Sequence, residues 1–328
     1  MSNQVKPVFI FSLPRSGSTL LQRVLASHSG IATTAEPWLL LPFCYALEDD
    51  DIFTDYEHSR FRTAFRAFLE KLPEKERDFY SALRSFALDL YQQFADADSK
   101  YFLDKTPRYH LIAQHIIRAF PDGKFIFLWR NPLSVASSMI QSWGEGRWNL
   151  YRYKVDLYKG LKNLVTAYSE RPNEAEAYDL RFEDLVADPR CEVKALFAFL
   201  EVPFEESALE AFAGIDFKGE MGDQKGVQRY KSISQDPVDK WRSVLNNPLR
   251  KAWARQYLKW IGEDHLRNMR YNMDDFLDAL QDSPASFDYL LHDIYSLAKG
   301  ALRPVIERHI WHSKVDSLSK GNKILAHS

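Results

Sequence analysis

Arg15, Ser16, Gly17, Ser18 and Thr19 set a fixed positive charge, three hydroxyls and a glycine side by side. Glycine lets the backbone turn tightly, and a guanidinium followed by short hydroxyls suits an oxyanion. The stretch lies between an apolar run, Val8 to Leu13, and a helical pattern, Thr19 to Ser27. A strand that feeds a tight loop and then a helix aims several backbone N–H groups, and the positive end of the helix dipole, at one point. Such a point is an anion cradle, and phosphate or sulfate is its natural occupant. The loop is not a Walker A sequence, because its cation precedes the turn and no Lys adjoins Ser18 or Thr19.

Further groups with chemical potential stand where strands should end. Glu36 follows Ile31 to Thr34, a short apolar and β-branched run. Tyr101 to Leu103 leads into Asp104-Lys105-Thr106-Pro107, and Lys124 to Trp129 into Arg130-Asn131-Pro132, where Asn131 and Pro132 are an N-cap and a first helical residue. Helical periods cover Arg60 to Leu69, Glu74 to Phe94, Tyr109 to Phe120, Pro132 to Met139, Tyr153 to Tyr168 and Glu192 to Leu200, with a strand at Ala177 to Phe182. Strands alternating with helices in this way predict an α/β protein with a central parallel sheet. Ligands of such sheets sit beyond the carboxyl ends of the strands, so Glu36 is well placed for a site.

The chain of 328 residues carries 45% hydrophobic and 27% charged residues, ample for a sizeable core, and a net charge of −2 that argues against binding nucleic acid through global charge. No apolar run has the length of a membrane span, and the first residues run into a strand without a signal-peptide core. Cys44 and Cys191 have no metal-type spacing. The expectation is a cytoplasmic protein with reduced thiols and no metal site. Residues 37–100 read as a helical insertion covering the acceptor side of an α/β domain spanning 1–262, and residues 263–328 as a helical C-terminal extension. The polar stretch from Gly214 to Pro237 reads as a long loop. In the extension, Leu290, Ile294, Leu297, Ala298 and Ala301 have helical spacing, which predicts packing onto the domain. The last thirty residues are basic, suited to weak contact with an anionic membrane surface.

Arg15 to Thr19 at a strand end, with Arg130 followed eight residues later by Ser138, resembles the sulfotransferases that use 3′-phosphoadenosine 5′-phosphosulfate (PAPS). The resemblance implies a P-loop-like three-layer fold. It also implies that Arg15, Ser16, Gly17, Ser18, Thr19 and Leu20 bind the 5′-phosphosulfate, and that Arg130 and Ser138 bind the 3′-phosphate. The segment Lys225 to Ser234, followed by Lys240-Trp241, is similar to the C-terminal loop that closes over the nucleotide in that family, and implies that Lys240 binds it. Glu36 lies twenty-one residues after Arg15, as the catalytic Glu does in tyrosylprotein sulfotransferases, and Asp104-Lys105-Thr106-Pro107 is similar to their Lys-containing turn. By this likeness Glu36 is the base, and Lys105 with Arg15 stabilises the transferring sulfuryl group. No metal is required, and adenosine 3′,5′-bisphosphate (PAP) is the product.

His28, at the end of the first helical pattern, is a competing base, with the alternative that it only complements the helix dipole. His110 and His115 could reach the acceptor but have no motif behind them. Phe182 stands where many members of the family have an adenine-contacting Tyr. The lack of a membrane anchor suits a bacterial or other cytosolic setting. Trp38, Trp143 and Trp148 suit a saccharide acceptor first, because aromatic faces stack on sugar rings, and would serve a lipid or a phenol too. Two other readings compete: a P-loop kinase, and a nucleotide-binding protein without catalysis.

Overall fold

The computed structural model describes residues 4–48, 54, 56–215, 217, 233–234, 238–300 and 302. Most of the polar stretch between 214 and 237, with Lys225, and the chain beyond 302 lie outside the described residues.

Alternation along the strands builds the sheet and both of its cores. In β1 (Lys6–Phe11), Phe9 and Phe11 face one side, and Val8 and Ile10 the other. β4 (Lys124–Trp129) repeats the division, with Phe125, Phe127 and Trp129 against Ile126 and Leu128. The register sets Phe9 opposite Phe125 and Phe11 opposite Phe127. Their rings interlock, with Phe9 and Phe125 centroids 5.9 Å apart and Phe11 and Phe127 5.2 Å apart. One face is therefore aromatic and the other aliphatic, and each fully buried ring contributes roughly 1.5–3 kcal/mol.

β2 (Ile31–Thr33), β3 (Tyr101–Asp104) and β5 (Ala177–Arg181) complete a five-stranded sheet in the order β2-β3-β1-β4-β5, every pair parallel. Helix α1 (Ser18–Ala26) buries Leu20, Leu21, Val24 and Leu25 in the aliphatic core. The aromatic core takes residues from α5 (Ala113–Ala119), α6 (Pro132–Gly144), α7 (Leu161–Ser169) and the helix Pro248–Ile261. A parallel sheet sandwiched between two helical layers is the α/β three-layer fold expected of the sequence. The chain leaves β1 toward β2 and leaves β4 toward β5. The loops after β1 and β4 therefore diverge and open a crevice at the carboxyl edge.

The 37–100 stretch is helical, as α2 (Leu41–Cys44), α3 (His58–Leu69) and α4 (Glu76–Phe94). Beyond 262, Leu266, Met269, Phe276, Ala279 and Leu280 join the aromatic core. Residues 290–300 form a helix whose inward face departs from the apolar spacing. Asp293, Ser296 and Gly300 are buried, whereas Ile294 is 51% and Leu297 42% exposed. A forked ion pair decides this orientation: Arg250 Nε and Nη2 donate to the Asp293 carboxylate at 2.6 and 3.0 Å, with both residues buried. Gly300 completes it, because its Cα rests on Tyr151, whose Cβ would lie 3.0 Å from an added methyl group. Among the described residues no helix is long and apolar enough to cross a membrane.

Candidate active site

The loop after β1 closes tightly. Ser16 N–H donates to the Leu13 carbonyl at 3.3 Å, Arg15 takes a positive φ of 69°, and Gly17 follows at φ 92°. Two left-handed residues, Arg15 and Gly17 on either side of Ser16, turn the chain so that α1 starts a short loop after β1. The first intrahelical bond from this corner runs from Leu21 N–H to the Gly17 carbonyl at 3.1 Å, and Gly17 supplies no side-chain cap. The N–H groups of the first turn, Ser18 to Leu20, thus face the crevice mouth as helix geometry dictates. The Leu20 side chain is sunk in the aliphatic core, so its backbone is what it can offer a ligand.

Gly17 is required for a second reason. A Cβ there would lie 2.4 Å from Cδ2 and 2.5 Å from Cε2 of Phe182. Phe182 is fully buried, and the Arg130 guanidinium lies 4.5 Å from its ring centroid. The ring therefore supports the loop and the cation from below, a role different from contact with an adenine. Arg130 Nη1 donates to the Arg15 carbonyl at 2.7 Å, joining the loops after β1 and β4. Asn131 N–H donates to Glu183 at 3.0 Å, and Tyr271 donates to the other oxygen of Glu183 at 2.6 Å. A residue beyond 262 thus helps hold the loop that carries Arg130.

Arg15 turns toward α6. Its Nε donates to Ser138 Oγ at 3.2 Å and its Nη2 to Ser142 Oγ at 3.1 Å, and Trp143 lies 5.9 Å from the guanidinium. The sequence pairs Ser138 with Arg130, whereas here Ser138 accepts from Arg15; Ser142, which the sequence did not single out, does the same one helical turn further on the same face. Trp143 is 40% exposed beside Arg15. Trp148 is a correction to the expected acceptor surface: it is buried against Trp253. Lys240 is exposed at the start of the helix Lys240–Val244, which Ser134 of α6 reaches by donating to the Val238 carbonyl at 3.1 Å.

Glu36 and Lys105 meet. Lys105 Nζ donates to Glu36 Oε1 at 2.9 Å, with the side chains 2% and 10% exposed, and the Trp38 indole N–H donates to Glu36 Oε2 at 3.4 Å. Below them Asp104 is wholly buried, and its pKa is pushed up to about 6 by that burial, against hydrogen bonds from Tyr91, Tyr109 and Thr106 and the charge of Lys105. The other candidate bases are committed elsewhere. His28 lies at the far end of α1, a nine-residue helix about 13 Å long. It accepts from Gly30 N–H at 2.9 Å and lies 3.1 Å from the Pro203 carbonyl. His110 is buried 2.8 Å from Asp156, and burial lowers its pKa. His115 bridges Tyr80 at 2.7 Å and Glu48 at 2.9 Å.

Arg15, Arg130 and Lys105, with the amides of one helix N-terminus, gather at the carboxyl edge of three adjacent strands, and the Glu36 carboxylate lies against Lys105. Such an arrangement can hold a doubly charged nucleotide and take a proton beside it. Comparisons with known proteins bear on the family. Residues 7–206 match the model of a sulfotransferase family. Nodulation protein NoeE of Sinorhizobium fredii is 28% identical over 75% of this chain and 63% of its own length. Protein-tyrosine sulfotransferase 1 of Danio rerio is 22% identical over 71% of this chain and 65% of its own. The chain thus spans slightly less than two thirds of these relatives. Among solved structures, a sulfotransferase domain from the curacin biosynthetic pathway is 26% identical over 74% of this chain and 92% of its own, at a TM-score of 0.49. On the family match, over more than half its length, this chain belongs to the sulfotransferase family.

Proposed function

We propose that the protein transfers the sulfuryl group of PAPS to an acceptor hydroxyl, a saccharide first, without a metal. The observation that carries this reading is the ion pair of Glu36 and Lys105 lying at the same sheet edge as the Gly17 loop and Arg130. The residues fit the nucleotide on geometry: the Gly17 corner is closed below by Phe182, the first-turn amides of α1 face outward, and Arg130 is braced on the loop carbonyl.

Arg130 and Ser138 hold the 3′-phosphate, and Ser16, Gly17, Ser18, Thr19 and Leu20 the 5′-phosphosulfate. Arg15, whose guanidinium rests on Ser138 and Ser142 of α6, is the cation for the sulfuryl oxygens as they gain charge. Glu36 takes the proton of the acceptor hydroxyl as the new O–S bond forms. Lys105, released from Glu36 as that carboxylate is neutralised, donates to the bridging oxygen that leaves with PAP. Lys240 closes over the nucleotide. Trp143, exposed beside Arg15, offers the stacking face that favours a saccharide. The tyrosylprotein sulfotransferases among the relatives make a peptide tyrosine the alternative acceptor.

The test has two parts. Thermal stability is measured with PAP, ADP and AMP, for wild type and Arg130→Ala. At a hundredfold excess over Kd a ligand adds about 2.7 kcal/mol of stability, and stabilisation by PAP alone, lost in the variant, is expected. Equal stabilisation by ADP would turn the reading toward a kinase. Labelled PAPS is then offered with chitotetraose, a p-nitrophenyl galactoside and a tyrosine peptide. PAP binding without transfer to any of them would leave a nucleotide-binding protein without catalysis.

A further inference from the structure

The buried Asp104 carboxylate is not absorbed by the roles above, and its partners are three hydroxyls. Oδ2 accepts from Tyr91 at 2.6 Å and from Tyr109 at 3.0 Å, and Oδ1 accepts from Thr106 at 3.3 Å. Two of these hydroxyls are also acceptors. Thr106 Oγ1 takes the backbone N–H of Trp38 at 3.3 Å, and Tyr109 Oη takes that of Leu40 at 3.1 Å. One carboxylate therefore holds two amides of a single segment, each through one hydroxyl. That segment begins at Glu36, and Trp38 within it has a positive φ of 54°, a conformation uncommon for a bulky side chain. Extended backbone at Asp104 to Thr106 sends Asp104 and Thr106 to one side and Lys105 to the other. Three consecutive residues thus clamp the segment: Lys105 by the Glu36 carboxylate, Asp104 and Thr106 by the backbone beyond it.

A buried carboxylate is costly to desolvate, and hydroxyl donors offset that cost only if they are fixed. Fixed donors in turn orient their remaining lone pairs, and those lone pairs fall on Trp38 and Leu40 N–H. We infer that Asp104, acting through Thr106 and Tyr109, is the positioning residue that sets Glu36 and Trp38 for the acceptor hydroxyl. The inference rests on the reading of Glu36 as the base.

The test compares wild type with Thr106→Ser, Thr106→Val, Tyr109→Phe and Glu36→Gln. Thr106 has φ −123° and ψ 113°, which valine adopts readily, so the variant removes the hydroxyl and keeps the backbone. Turnover is read as PAP release from PAPS, with chitotetraose and with water alone as acceptors, and PAP affinity by calorimetry. Hydrogen exchange of a peptide covering 37–41 is read in parallel. Thr106→Val and Tyr109→Phe are expected to lower kcat about ten- to a hundredfold, with the KM for PAPS and PAP affinity within about twofold. Thr106→Ser should stay within about threefold of wild type, and exchange at 37–41 should quicken in the Val and Phe variants only. Wild-type turnover in Thr106→Val, failure of Thr106→Ser to restore it, or loss of PAP affinity in step with kcat would each overturn the inference. If Glu36→Gln turns over like wild type, the base assignment falls with it. Unchanged exchange at 37–41 in the Val and Phe variants sinks the clamp itself, whatever Glu36 does.

Discussion

Replacing Gly17 by alanine tests the closest contact that an added Cβ would make at any of the described glycines. An L residue at φ 92° costs roughly 1–2 kcal/mol. The new Cβ would also stand 2.4 Å from a ring carbon of Phe182, well inside contact distance. Phe182 is fully enclosed, so it yields only by pushing on its neighbours, an overpacking worth about 1–3 kcal/mol. The two together predict about 3 kcal/mol of destabilisation, read as a lower urea midpoint at unchanged m. Because Phe182 lies under the Arg130 guanidinium, the same push displaces the cation that joins the two loops. PAP affinity should therefore fall at least about tenfold, a loss of roughly 1.4 kcal/mol. Phe182→Leu removes most of the clash. In the double variant the steric part should be recovered and the backbone part retained, giving a coupling of about 1–2 kcal/mol. Destabilisation by Gly17→Ala below about 0.5 kcal/mol, or strict additivity in the double variant, would refute the claim that Phe182 is what the glycine accommodates.

Further expectations concern the charges. Glu36→Gln should lower kcat at least about a hundredfold while PAP affinity holds within about twofold, since the amide cannot take a proton; an affinity loss matching the rate loss would make Glu36 structural. The Asp104 carboxyl, raised from 3.8 to about 6 by burial, binds its proton more tightly folded than unfolded. Its contribution is thus complete below about pH 4 and lost as the pH rises to about 6, on the order of 3 kcal/mol. Urea titrations at pH 4 and 6 should show Asp104→Asn lacking that decline, and parallel behaviour of the two proteins would contradict it. Asp293→Ala leaves Arg250 buried without its carboxylate and should cost about 3–5 kcal/mol by urea denaturation, whereas a change within about 0.5 kcal/mol would mean that the pair is not holding residues 290–300 in place.

Much of this protein is written locally. β1, β3 and β4 were legible because residues buried on both faces leave unbroken apolar runs, and the Pro14 to Thr19 corner because strand, glycine turn and helix occur within a dozen residues. The candidate residues Arg15, Glu36, Lys105 and Arg130 were legible for a related reason: charges at the carboxyl ends of strands must lie at one edge once the strands are parallel.

Tertiary structure alone decided the partners. Phe182 lies 165 residues from Gly17, and nothing in either segment announces that one ring fills the space that the glycine leaves. Likewise, Asp104 reads as a turn carboxylate until Tyr91 and Tyr109 surround it. Trp148 looked available for stacking and is buried, while Leu297 and Ile294 looked buried and are exposed. In that helix the ion pair of Arg250 and Asp293, which no local pattern records, overrules the apolar stripe. Periodicity reports which face of an element is apolar. Where two elements meet in space, the deciding terms are pairwise contacts, and those exist only once the chain has folded.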